Sequence, residues 1–93
     1  MTKLAAREFS VYQFFADGSQ EYVLRFVPAE EAVVCASGLC KSVGALLGTT
    51  VRVIITDGGD CCCFEWEREK GVVYPEEMKT HAGFPHYSGK VTS

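Results

Sequence analysis

Two stretches of strand-type residues, each folded about an Asp-Gly step, flank a single stretch of helical periodicity, and that order leaves few folds open. Residues 8–15 are rich in aromatic and β-branched side chains, as strands are. Asp17-Gly18 supplies a tight turn, because glycine accepts a positive φ without steric cost. Residues 21–27 form the returning strand, where alternation puts Tyr22, Leu24 and Phe26 on one face and Val23, Arg25 and Val27 on the other. The second hairpin repeats the plan. In residues 49–56, Val51, Val53 and Ile55 alternate with Thr50, Arg52 and Ile54, and Asp57-Gly58-Gly59-Asp60 makes the turn. Residues 61–68 return with Cys62, Phe64 and Trp66 on one side and Cys63, Glu65 and Glu67 on the other. A fifth strand, 72–74, ends at Pro75.

Between the hairpins, Pro28 can open a helix, where its missing N–H costs nothing. Glu30 and Glu31 then oppose the positive end of the helix dipole. Ala32, Ala36, Leu39, Val43, Leu46 and Leu47 recur at intervals of three and four, which predicts one continuous apolar stripe stopped by Gly48. The fold class is therefore α+β: a small antiparallel sheet of about five strands in the order β-β-α-β-β-β, with one helix packed on one face. The 93 residues make one domain, expected to close at residue 75. Residues 76–93, with Gly83, Pro85, Gly89 and few aliphatic side chains, read as a loose or partly ordered tail.

Such a sheet is about 20 Å wide, while one helix covers about 10 Å. Both faces of the first strand carry large apolar groups: Phe9, Val11 and Phe15 on one, Tyr12 and Phe14 on the other. The rear of the helix, with Val34, Ser37, Gly38, Lys41 and Ala45, holds one charge where a solvated face usually carries more. Uncovered apolar surface on a small protein marks an interface, and a symmetric dimer is its commonest form. Phe9, Val11, Tyr12, Phe14, Phe15, Val34, Gly38 and Ala45 are the expected interface residues. A second reading places a small molecule between sheet and helix, or across a dimer interface, against Tyr22, Phe64, Trp66 and Tyr74.

Other function classes find little support. A net charge of −3, with nine basic residues scattered singly, argues against a polyanion-binding surface. Alternation sends Cys61 and Cys63 to one face and Cys62 to the other, so the run cannot grip one metal without distortion. Cys35 and Cys40 also lack the usual ligand spacing, so no metal or cofactor is expected, and the cysteines read as small core side chains. Asp57-Gly58-Gly59-Asp60 lacks the other ligands of a calcium loop. His81 and His86 lie in the tail without an assured orienting partner, so a reaction centred on Cys63 or His81 ranks behind both binding readings. Residues 1–7 carry charge without an apolar run behind them, and an odd number of cysteines fits no closed disulfide framework. A non-enzymatic cytoplasmic binding module is the expectation, one that self-associates as a dimer, with another protein as a further partner, and that engages no membrane and no nucleic acid.

Overall fold

A computed structural model describes residues 7–79 and 83–87. It shows a five-stranded antiparallel sheet with one main helix against it, an α+β domain. Strands β1 (Phe9–Phe15) and β2 (Gln20–Val27) form the first hairpin; β3 (Thr50–Thr56), β4 (Cys62–Glu67) and β5 (Gly71–Tyr74) form a meander. The order across the sheet is β2-β1-β3-β4-β5, so β1 pairs with β3 and joins the two hairpins. Both turns are held by an aspartate. Asp17 Oδ1 accepts from Ser19 N (2.9 Å), and Asp57 Oδ1 accepts from Gly59 N (2.9 Å) and Cys61 N (3.1 Å). No helix among the described residues is long and apolar enough to cross a membrane.

The expected single helix is two. Helix α1 (Ala29–Cys40) ends where Lys41 leaves helical geometry, and α2 (Val43–Leu47) begins anew. Ser42 causes the restart: its Oγ donates to the Leu39 carbonyl at 2.7 Å and accepts from Ala45 N at 3.1 Å, capping α2. The change of direction turns Val43, Leu46 and Leu47 outward, while Ala32, Ala36, Cys40 and Ala45 become the buried stripe. Small side chains on that stripe let the helices lie close to β1 and β3. Gly44 is needed for the same approach, since a Cβ there would sit 2.9 Å from Thr50 Oγ1. A Cβ on Gly38 would meet nothing, so close packing does not account for that glycine.

The core lies between these helices and one face of the sheet. Val11 pairs with Ile55 and Ile55 with Phe64; Val53 pairs with Trp66 and Trp66 with Val72. All six are buried, which makes two apolar rows across the strands. The register shifts at five steps across the sheet, and shifts in β2 and β4 break the expected alternation. In β2, Leu24 sits beside Val11 on the covered side while Tyr22 sits beside Tyr12 on the other, so Tyr22, Leu24 and Phe26 do not share the face expected of them. In β4, Ile55 opposes Phe64 but Thr56 opposes Cys62, which leaves Cys63 as the extra residue. Cys63 therefore packs against the core and Cys62 is exposed, the reverse of strict alternation.

Beyond residue 75, the segment 83–87 packs back on the domain. One helix is too narrow for the sheet, and this segment completes the layer. Phe84 is buried with its ring 4.7 Å from that of Phe64. Trp66 Nε1 donates to the Pro85 carbonyl (2.7 Å), and Ser37 Oγ to that of Gly83 (2.8 Å). Tyr87 N donates to the Arg68 carbonyl (2.7 Å), and its hydroxyl to that of Cys40 (3.1 Å). Strand, helix and tail are thus tied at five points. Residues 80–82 and 88–93, His81 among them, lie outside the described residues.

Candidate functional site

With one face of the sheet covered, the other defines the candidate site. Tyr12 and Phe14 of β1, Tyr22 of β2, Arg52 and Ile54 of β3, and Glu65 of β4 share it by register. The side chains brace one another laterally. The Tyr12 and Tyr22 rings stack at 4.1 Å with a 34° tilt, and the Tyr12 hydroxyl hydrogen-bonds to that of Tyr22. That bond is the main cause holding the Tyr12 phenol above its ordinary pKa. The Arg25 guanidinium lies 3.8 Å over the Tyr22 ring, and that of Arg52 lies 5.0 Å over Phe14. Arg52 Nε also donates to Glu65 Oε2 at 2.9 Å. The result is a broad aromatic surface with both charge signs at its margins and no described element over it.

The expected interface residues divide between the two sides. Tyr12 and Phe14 lie half-buried on the open face, and Phe15 is half-buried at the end of β1. Val34 and Gly38 are exposed on α1. Val11 and Ala45 are fully buried in the core, so the folded chain cannot present them. Phe9 packs against the core at the mouth of a small pocket. The expected ligand wall is divided as well. Phe64 and Trp66 lie in the core on the covered side, with the Trp66 indole bound to Pro85. Tyr22 and Tyr74 are exposed, Tyr22 beside Tyr12 and Tyr74 beside Glu65. The sheet separates the two pairs, so the four do not enclose one cavity.

Enclosed space suited to a sizeable ligand is scarce. An apolar pocket of about 170 Å³ lies between the start of α1 and β4, below the roughly 300–1,000 Å³ of drug-sized ligand sites. An open cleft of about 860 Å³ runs along the α2 end of β3 and β4, between Leu47, Arg52, Glu67 and Lys70. Four of its charged groups are paired, Arg52 with Glu65 and Lys70 with Glu67 at 3.6 Å, and Arg68 is bound to α2 carbonyls.

Among the described residues, the hydrogen-bonded thiols point to backbone carbonyls. All five cysteines are free, and burial pushes the thiols of Cys35, Cys40 and Cys63 up, which keeps them protonated. The Cys63 thiol is turned to the Ile55 carbonyl at 3.4 Å rather than to a base. His86 is exposed beside Gly71. No group of three His, Cys, Asp or Glu side chains among the described residues could hold a metal ion.

Pattern reading passed over Arg68. It is buried, and its guanidinium donates to the α2 carbonyls of Ala45 (Nε, 2.7 Å) and Leu46 (Nη2, 2.9 Å), while lying 5.6 Å from the Tyr87 ring. It thus satisfies the orphan carbonyls at a helix end and ties α2 to β4. The signal was present: Arg68 follows Phe64 and Trp66 at the two-residue spacing of the covered face. Scans against protein-family models, curated proteins and solved structures each return no match to this chain.

Proposed function

We propose that this chain is a non-enzymatic binding module of the reducing cytoplasm that self-associates through the open face of its sheet. The observation that carries this reading is the inequality of the two faces. Helices and tail occupy one, while Tyr12, Phe14, Tyr22 and Ile54 carry an aromatic and aliphatic surface across the other. Apolar patches of this kind mark interaction surfaces, and Tyr with Arg is the pairing that interface centres favour. Strand spacing makes the face roughly 20 Å by 20 Å, so two such faces cover about 800 Å² together, the scale of a weak, concentration-dependent contact. Stacked sheets about 10 Å apart are the ordinary way to bury such surfaces, with strands within about 30° of each other. Burial keeps the Cys40 and Cys63 thiols protonated, which supports a reading without a thiolate nucleophile.

Sedimentation velocity over a wide concentration range tests the reading. The wild-type chain is expected to pass from monomer to dimer, and Ile54→Asp to remain monomeric with an unchanged circular dichroism spectrum. Equal association of the two would reject the open face as the interface.

A further inference from the structure

The small pocket beside the start of α1 arises where the strand pairing slips. Its walls come from β1, α1, β3, β4 and the turn after β5, and none of its residues lies on the open face. The register shift between Ile55 and Thr56 makes Cys63 the extra residue of β4 and packs it against the core. In the α1 wall stands Ala32, which is fully buried. Small side chains at both positions leave a volume of about 170 Å³ unfilled, where a protein interior is ordinarily packed without such space.

The lining sets the chemistry of a guest. Phe9 and Phe64 contribute aromatic rings, and Cys63 and Met78 contribute sulfur. Rings and polarizable sulfur both favour an aromatic neighbour over a saturated one. The Cys63 thiol is already turned to the Ile55 carbonyl at 3.4 Å, and no buried side-chain nitrogen or oxygen among the described residues lacks a partner. A charged group carried inside would give up its water with nothing to replace it. Size narrows the class further: an apolar cavity of about 150 Å³ takes one benzene ring, while drug-sized ligands need about 300 Å³ or more. Ile55 and Phe64 are buried at the floor and Phe9 and Met78 half-buried at the rim, so a guest enters without unfolding the chain.

We propose that this pocket binds one small, uncharged aromatic molecule of benzene or toluene size. Apolar contact alone holds such a guest at about 1 mM. It therefore leaves on dilution, and the purified chain keeps its own mass. The site is independent of the self-association reading above.

Titration of the full chain with toluene, followed by the methyl NMR signal of Met78 assigned with Met78→Leu, tests the site. The signal is expected to move saturably, with its midpoint at about 1 mM. At about five times that concentration the thermal midpoint should rise by about 4 °C. Methylcyclohexane, similar in size but without a π face, should bind about threefold or more weakly. Benzoate, which carries a charge, should bind about tenfold or more weakly. Ala29→Phe fills the mouth from an exposed position of α1 and should abolish the response, whereas Ile54→Asp should bind toluene as the wild type does in whatever state of association. A Met78 signal that stays fixed, or drifts without saturating, overturns the site. Equal affinity for methylcyclohexane overturns its aromatic class, and an equal response in a folded Ala29→Phe overturns its location. The wild-type titrations decide the first two points without any variant at the mouth.

Discussion

Both faces of one sheet carry large aromatic side chains, yet only one has become a core. On the covered face, Trp66 and Phe64 are closed in by Ala32, Ala36, Phe84 and the backbone of Pro85. On the open face, Tyr12, Tyr22 and Phe14 are held in place by one another and by arginine, from the side rather than from above. Burial is thus set by which residues have a layer to meet, not by how apolar a strand is. The covered side should decide whether the chain folds, and the open side what it meets once folded.

Trp66→Ala should break the covered side most severely. It empties the largest fully buried side chain and releases the bond to Pro85. A loss of about 3–5 kcal/mol in urea unfolding is expected, and a smaller loss would mean that the tail does not seal this face. Phe84→Ala asks the same of the tail itself, with about 3 kcal/mol expected. A value near zero would return residues 83–87 to the status of a loose appendage. Arg68→Met keeps the length of the side chain but leaves the Ala45 and Leu46 carbonyls without its donors. It should cost about 2 kcal/mol, with the loss of amide-exchange protection centred on α2.

The cysteine run sharpens the comparison within three residues. Cys63→Ser puts a hydroxyl against the core and should cost about 1 kcal/mol, whereas Cys62→Ser at the exposed edge should cost less than half of that. The reverse order would restore uninterrupted alternation in β4. Labelling of the native protein should follow exposure, with Cys61 first and Cys40 only on unfolding. Burial raises the folded-state pKa of the Cys40 thiol, so its contribution to stability is complete below the unfolded-state value of about 8.5 and drains away as pH rises past it. Urea midpoints should decline from pH 8 to 10, and more gently in Cys40→Ala. The least effect on folding belongs to the open face. Ile54→Asp should change the stability of the isolated monomer by less than about 1 kcal/mol.

Much of this contrast was legible in the residues. The Asp-Gly turns, the five strands and the helix start at Pro28 follow from local rules, because backbone geometry and hydrogen bonding act there over a few residues. The errors fell where tertiary packing overrode a period. Nothing in Cys61-Cys62-Cys63 marks an irregular register, which arises from fitting β4 to β3. Ser42 reads equally as a polar interruption of one helix or as the cap of a second, and its bonds to Leu39 O and Ala45 N make it the cap. In the tail, Phe84 and Tyr87 were visible as aromatic residues, but their partners lie in β4 and α1, far away in sequence. Of the candidate site, alternation put Tyr12 and Phe14 on one face of β1 but did not say which face is covered. Val11 and Ala45 were misplaced because both faces of β1 are apolar and because α2 changes direction.

Whether the chain self-associates through the face it leaves open is read from a native mass spectrum of the untagged full chain under reducing conditions. The expected species is a dimer of unmodified mass that reverts to monomer in Ile54→Asp. A monomer at every concentration, or a species carrying the extra mass of a bound molecule, would overturn self-association through that face.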